Sequence, residues 1–269
     1  MNISLRSPAV AGLFYPGSAA ELAHDVERML SSAHRQTSLP AKAIIVPHAG
    51  YIYSGPVAAS LYASLASQQD SVRRIVLLGP THRVALNGLA LPSCQAFSTP
   101  LGTVPLDQVA MDRLQTLPQV VVNDAAHAQE HALEVQLPFL QSVFRDFSLV
   151  PLAVGKATAE DIAEVLELVW GDAATLIVIS SDLSHYLPYE HAREMDTHTA
   201  HQIVDLKPEI THAQACGATP VNGLLVAARR HGLHGELIDL RNSGDTAGDR
   251  LRVVGYGAFA FSEEAHHGH

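Results

Sequence analysis

Three histidines each follow a short apolar segment of the chain. They are His48 after Ala43–Val46, His82 after Arg74–Leu78 and His185 after Thr175–Ser180. Apolar runs rich in β-branched residues are typical of buried parallel strands. Ligands of open α/β sheets bind outside the carboxyl ends of the strands, and imidazole is a common ligand of zinc, iron and copper. The pattern predicts a metal or catalytic site at one sheet edge, although each histidine alone could simply bond a nearby carbonyl.

Asp182 lies three residues before His185 on the same predicted turn. A carboxylate at this position could orient the imidazole, tune its basicity or accept a proton from a substrate. Asp in such a turn also commonly forms an Asx-turn or caps the next segment. Both interpretations are open from the sequence.

Cys216 precedes a predicted helix in which Thr219 is the N-cap and Pro220 the first residue. The positive end of a helix favours a thiolate, which is both a nucleophile and a soft metal ligand. The alternative is a small buried apolar residue, and this alternative fits Cys94 better because no helix signal lies beside it. Two cysteines are too few for a disulfide framework.

His127 and His131 lie four residues apart, on either side of Glu130. The zinc-protease helix needs Glu directly after its first histidine, and this segment lacks it. We therefore expect His131 at the edge of the site or behind its ligands. No dinucleotide fingerprint follows a strand, and neither a phosphate-binding loop nor a Gly-x-Ser-x-Gly nucleophile elbow is present.

The elements that must position these residues alternate along the chain. Expected helices are Ala19–Ser32 with Ser18 as N-cap, Pro56–Leu65, Glu130–Phe144, Ala159–Val169, Tyr189–Val204 and Pro220–Arg230. Further strands are expected at Ser148–Val154, Glu236–Leu240 and Leu251–Phe261, the last two paired antiparallel. This order predicts an α/β fold of one domain over residues 1–262, with a largely parallel or mixed central sheet and helices on both faces. The tail, residues 263–269, is expected to be disordered, and its three histidines could bind metal adventitiously.

Composition excludes several classes of protein. The 269 residues carry 17 Lys and Arg against 27 Asp and Glu, a net charge of −10 with histidine neutral. Such an acidic chain is a poor partner for nucleic acid. Apolar residues make up 47% of the chain, enough for a core, but no run approaches the ~20 residues that cross a bilayer. Without a signal-peptide pattern, we expect a soluble cytoplasmic protein with no membrane partner.

Short motifs surround the candidate residues along nearly the whole chain. They are Gly12-Leu13-Phe14-Tyr15-Pro16, Pro47-His48-Ala49-Gly50-Tyr51, Leu78-Gly79-Pro80-Thr81-His82, Glu130-His131-Ala132-Leu133-Glu134-Val135-Gln136-Leu137-Pro138, Ser180-Ser181-Asp182-Leu183-Ser184-His185, Cys216-Gly217 and Asn242-Ser243-Gly244-Asp245. In this order they resemble the Memo-like family, whose bacterial and archaeal members are called AmmeMemoRadiSam system protein B. That family is similar in fold to class III extradiol dioxygenases, which cleave catechol-type rings with non-haem Fe(II).

The resemblance implies a metal ion bound by His48, His82 and Cys216. It also implies that His185 acts as acid or base with Asp182 beside it, and that His131 is a further histidine of the pocket. The dioxygenases use a carboxylate as their third ligand, whereas a cysteine takes that place here. A thiolate is softer, which shifts the preference towards copper or changes the redox balance of iron. Ring cleavage therefore does not follow from the fold.

Three functions are open at this stage. The first is a mononuclear Fe(II) or Cu redox protein, a dioxygenase-like enzyme acting on an unidentified small molecule. The second is a hydrolase in which bound Zn²⁺ activates water. The third is a non-enzymatic accessory or metal-delivery module for AMMECR-type and radical-SAM partner proteins, which the family name implies.

Overall fold

The computed structural model describes residues 3–33 and 40–263. Its strands are β1 (Leu5–Arg6), β2 (Ala43–Val46), β3 (Arg74–Pro80), β4 (Leu89–Leu91), β5 (Ala96–Thr99), β6 (Gly102–Pro105), β7 (Val120–Val122), β8 (Ser148–Val154), β9 (Thr175–Ser180), β10 (His185–Leu187), β11 (His234–Asn242) and β12 (Val253–Ser262). Its α-helices are α1 (Ala19–Ser32), α2 (Tyr51–Tyr62), α3 (Gln108–Leu114), α4 (Asp124–Ala128), α5 (Leu137–Val143), α6 (Ala159–Val169), α7 (Tyr189–Val204), α8 (Ala218–Arg230) and α9 (Ser243–Thr246). Two 3-10 turns span Ala63–Gln68 and Glu134–Gln136. The predicted disordered tail, apart from Glu263, lies outside the described residues.

Nine of the described strands form one mixed sheet. Its order is β10-β12-β2-β9-β3-β8-β4-β7, with β11 also paired to β12. The central strands β2, β9, β3 and β8 are parallel, whereas β12 runs antiparallel to β2, β10 and β11. The mixed sheet and the expected antiparallel pairing of the last two long strands are therefore confirmed. A smaller sheet has the order β1-β5-β6.

The register of the parallel strands brings their carboxyl ends to one edge. Val46 of β2 lies beside Ser180 of β9, and Pro80 of β3 lies beside Val154 of β8. All residues of β2 and β9 are buried, as expected for parallel strands covered on both faces. His48, His82 and His185 follow β2, β3 and β9, so the shared edge predicted for these three histidines is confirmed.

Helices cover the sheet through apolar stripes that the sequence pattern predicted. In α1, Ser18 caps the helix by accepting a hydrogen bond from Glu21 N, and the stripe of Leu22, Val26 and Met29 is buried. Helix α2 packs against β2, β11 and β12, α7 packs against β11 and β12, and α6 packs against α8. Burying each large apolar side chain contributes roughly 1.5–3 kcal/mol. Within the described residues, none of the helices has the length and apolar character that a membrane crossing requires.

Three helix boundaries differ from the prediction. The helix expected from Pro56 begins at Tyr51, so that proline lies inside its first turns. The helix expected over residues 130–144 is wrong in its first part, because the Glu130 side chain binds the backbone N–H groups of His131 and Ala132 instead. A 3-10 turn and then α5 follow.

The predicted N-cap of α8, Thr219, is also wrong. The helix begins at Ala218 with Gly217 as its N-cap. A Cβ at Gly217 would lie 2.7 Å from the Cβ of Ser181, and Gly217 N donates to Ser181 Oγ at 2.9 Å. Tight packing against the loop after β9 therefore determines where this helix begins.

Candidate metal centre

Three histidine side chains converge at the edge where the parallel strands end. Ring nitrogens of His48, His82 and His131 all lie within 4.8 Å of one another. The ring centroids are 5.2 Å apart for His48 and His82, 5.4 Å for His48 and His131, and 4.6 Å for His82 and His131. Because zinc binds imidazole nitrogen at about 2.0–2.1 Å, donors this close could hold one metal ion after small side-chain movements.

The hydrogen bonds around His48 determine which ring nitrogen carries its proton. Ser180 Oγ donates its single proton to the carbonyl of Ala132 at 2.6 Å and accepts from Gln136 Nε2 at 2.8 Å. It therefore accepts from His48 Nδ1, 3.0 Å away, which leaves the lone pair on Nε2. Burial lowers the pKa of His48 to about 3. The ring is neutral, the form that binds metals.

Glu130 holds His82 in the same tautomer. Glu130 Oε2 accepts from His82 N at 2.6 Å, and Glu130 Oε1 lies 2.8 Å from His82 Nδ1. Burial raises the pKa of Glu130, but the hydrogen bonds and charge of His82 outweigh burial, and the pKa falls to about 2. Since the carboxylate carries no proton, His82 Nδ1 must donate and Nε2 keeps the lone pair. A carboxylate behind a histidine ligand fixes the ring and raises its basicity.

His131 belongs to the same group. Its Nδ1 lies 3.2 Å from Glu130 Oε1, and its ring stacks on that of His82 with an angle of 27° between the planes. The ring of Phe14 packs against it with centroids 4.7 Å apart. Burial lowers the pKa of His131 to about 4, so this ring is neutral as well. The sequence placed His131 at the edge of the site, whereas its ring lies among the potential donors.

Cys216 lies beside His48. Its Sγ is 3.3 Å from His48 Nε2 and 3.6 Å from the carbonyl oxygen of Asp182. Burial, followed by the charge of Asp182, raises the pKa of Cys216 to about 12. The helix end alone therefore does not produce the expected thiolate, and a bound cation would be needed to release the proton. Both cysteines are free, and Cys94 is buried, as expected of a small apolar residue.

Asp182 and His185 lie at the end of β9 and the start of β10. The buried Asp182 accepts the backbone N–H of His48 at 2.7 Å, so its carboxylate fixes the loop that carries a potential ligand. Burial raises the pKa of Asp182. His185 Nδ1 lies 2.8 Å from the carbonyl oxygen of Leu183, to which it donates, and this leaves Nε2 as a proton acceptor. The catalytic roles expected for Asp182 and His185 stay predictions.

Sequence reasoning missed the residues that support the histidines. Glu130 directly precedes His131, and Ser180 ends the strand that pairs with the one before His48. Their positions could have suggested these roles, because polar residues at the end of a buried strand need partners.

A buried carboxylate also anchors the N-terminal segment beside the site. Glu134 forms an ion pair with Arg6 and accepts the backbone N–H groups of Ala9 at 2.7 Å and Val10 at 3.0 Å. It also accepts the hydroxyl of Tyr15. These contacts fix the turn that places Phe14 on the ring of His131.

Comparisons with known proteins agree with the expected family. A MEMO1 family protein of Aquifex aeolicus is 37% identical over 264 residues, which cover 94% of this chain and 97% of the relative. A MEMO1 family protein of Ignicoccus hospitalis is 37% identical over 286 residues, covering 96% and 98%. The relatives therefore match over nearly their full lengths.

A solved structure shares the fold. The uncharacterized protein JW3007 from Escherichia coli K12 superposes with a TM-score of 0.53 at 15% identity, covering 80% of this chain and 98% of that one. The family profile described as Memo-like protein matches residues 6–260. This chain belongs to the Memo-like protein family.

Proposed function

We propose that this chain is a metal-dependent redox enzyme that binds one iron or copper ion through His48, His82 and Cys216. The observation that carries the proposal is the shared tautomer of the two histidines. Hydrogen bonds to Ser180 and Glu130 leave the Nε2 lone pair of each ring available, and Cys216 Sγ lies 3.3 Å from one of them. Imidazole and thiolate together suit copper and iron.

The residues around the donors have separate tasks in this proposal. A bound iron or copper ion would supply one-electron chemistry. Glu130 and Ser180 hold the two rings in their metal-binding form, and Phe14 covers one side of the histidine group. His185, whose Nδ1 proton is committed to a carbonyl, accepts a substrate proton at Nε2.

Metal analysis and oxygen uptake test this function. The protein is truncated after Ser262, to remove the tail histidines, and purified without oxygen. We expect near-stoichiometric iron or copper that is lost in His48→Ala and in His82→Ala. His24→Ala is the matched control, since this histidine is exposed on α1. Unchanged metal content in the first two variants would refute the ligand assignment, and absence of metal-dependent oxygen uptake would refute the redox activity.

Cobalt substitution separates Cys216 from His131 as the third donor. A thiolate bound to Co(II) gives a charge-transfer band in the near ultraviolet, which imidazole ligands lack. We expect the band in the wild type and in His131→Ala but not in Cys216→Ser. A cobalt site without the band, lost only in His131→Ala, would assign the third position to that histidine.

A zinc hydrolase is the second candidate, and the all-histidine group favours it. Three imidazoles form the donor set of catalytic zinc sites in which bound water has a pKa of about 7. Zinc in the purified protein with no oxygen uptake would favour this alternative. Tight association with an AMMECR-type or radical-SAM protein, without turnover, would instead favour the accessory role.

A further inference from the structure

A cavity of about 730 Å³ adjoins the candidate metal centre. His82 and Cys216 are among its lining residues, so it opens directly onto the potential donors. The other walls come from the loop after β3, the loop after β8 and the first turn of α8. A substrate that reached a metal at the histidine group would occupy this space.

The described residues of the cavity wall include cations and no carboxylate. Arg83 and Lys156 line it, together with His212, and no Asp or Glu does. The chain as a whole has the opposite balance, with a net charge of −10. The carboxylate of Asp161, in the first turn of α6, makes a different contact. It accepts a hydrogen bond from Thr158 N at 2.8 Å and so caps its own helix.

Among the residues that the structure describes, Arg83 and Lys156 have no partner for their charge. Both residues are exposed. Neither side chain forms an ion pair or hydrogen bond with any described residue. The two cations of this cavity wall are therefore available to a ligand.

Backbone hydrogen bonds hold the two cation-bearing loops together. Gly155 N donates to Gly88 O at 2.9 Å, Lys156 N donates to Leu86 O at 2.8 Å, and Gly88 N donates to Lys156 O at 2.8 Å. A Cβ at Gly155 would lie 2.1 Å from Leu86 O, so only glycine allows this approach. The backbones that carry the two cations are therefore fixed before a ligand binds, which reduces the entropy cost of binding.

The start of α8 adds to the positive potential. Thr219 and Pro220 line the cavity in the first turn of this 13-residue helix. Its N-cap, Gly217, has no side chain with which to cap that turn, and its own N–H donates to Ser181 Oγ. The N-terminal end of a helix attracts anions, and here it faces the same space as the two cations.

We propose that the substrate of this chain is a small anion, whose carboxylate or phosphate binds Arg83 and Lys156 while its reacting part reaches the histidine site. This inference rests on the proposed function for the reaction itself. The anion-binding step depends only on the cavity, so it can be tested in the metal-free protein, where a carboxylate has no metal to chelate.

Three ligands with the same phenyl ring test the inference: benzoate, phenylphosphonate and neutral benzamide. Dissociation constants are measured by ligand-observed NMR on metal-free protein at low salt. We expect at least one of the two anions to bind about tenfold more tightly than benzamide, the combined effect of two exposed charge pairs. The tighter anion identifies whether the cavity suits a carboxylate or a phosphate. Equal binding of all three ligands, or no binding of either anion, would overturn the inference.

The double variant Arg83→Gln with Lys156→Gln should lose this preference for anions. The double variant Arg229→Gln with Arg230→Gln is the charge-matched control, because both arginines are exposed at the opposite end of α8 and lie outside the cavity wall. A preference that persists in the double variant would overturn the inference. Metal content is measured in the same samples. A wild type that takes up no metal but prefers the anions would defeat the proposed function alone, and a metal-binding protein without the preference would defeat this inference alone.

Discussion

Replacing Glu130 by glutamine removes one negative charge from the centre of the site and leaves the volume of the side chain almost unchanged. The carboxylate accepts four hydrogen bonds, three at Oε1 and one at Oε2. Glutamine offers one acceptor oxygen and one NH₂ donor. Its best fit keeps the oxygen at the Oε1 position, where His82 Nδ1, His131 N and Ala132 N donate. The amide nitrogen then faces His82 N across 2.6 Å, donor against donor.

This mismatch lowers both the folding stability of the protein and its affinity for the metal. A buried donor left without an acceptor costs about 1–3 kcal/mol of folding free energy. Loss of the carboxylate behind a histidine ligand lowers metal affinity by about 10–100-fold. The second effect is measured on folded protein, so it is separable from the first.

Chelator-competition titration with Co(II) near neutral pH gives the affinity, and urea unfolding of the metal-free protein gives the stability. Glu27→Gln is the control, because this glutamate is exposed on α1 and the same charge is removed. We expect the control to match the wild type in both measurements. If Glu130→Gln stayed within about twofold of the wild type in affinity and about 0.5 kcal/mol in stability, Glu130 would not support the histidines as argued.

Three further changes test the surroundings of the site. Arg6→Met leaves the buried Glu134 carboxylate without its cation. Urea unfolding should therefore show a loss of about 3–5 kcal/mol in the free energy of unfolding, against less than about 1 kcal/mol for the exposed Arg28→Met. Equal losses in the two variants would contradict this reasoning. Burial raises the pKa of Asp196 from 3.8 to about 6, so ionising this carboxyl costs more free energy in the folded state than in the unfolded chain. The free energy of unfolding should therefore fall by up to roughly 3 kcal/mol as the pH rises from about 4 to about 6. Asp196→Asn should remove this slope in unfolding measured across that range, and an unchanged slope would assign it to other groups. Gly155→Ala should weaken binding of the tighter of the two anions in the NMR assay, because its Cβ would push the two cation-bearing loops apart. An unchanged dissociation constant would show that anion binding does not need this close approach of the loops.

The convergence of the site could be predicted from strand ends alone. His48 and His82 follow strands whose apolar runs identified them as buried and parallel, and parallel strands place their carboxyl ends together. The register of β2, β9 and β3 then brings the loops to one edge. The local sequence pattern was sufficient to predict this convergence, because a continuous apolar run is typical of a parallel strand that is buried on both faces.

Other parts of the site depend on contacts between distant segments. Residues 130–133 have the spacing of a helix, yet Glu130 binds the backbone of its own neighbours and the ring of His82, 48 positions away. The start of α8 depends in the same way on Ser181. Such contacts leave no periodic signal, so the sequence could place His131 near the site but not within the histidine group.

Proton release distinguishes Cys216 from His131 as the third donor. The ring of His131 is neutral because burial lowers its pKa to about 4, so binding a metal through this ring near neutral pH releases no proton from it. The thiol of Cys216 keeps its proton in the metal-free protein, because burial and the charge of Asp182 raise its pKa to about 12. Binding through Cys216 would therefore release that proton. If Cys216 is the third donor, metal binding should release about one more proton in the wild type than in Cys216→Ser, a difference that titration in two buffers of different ionisation enthalpy would measure.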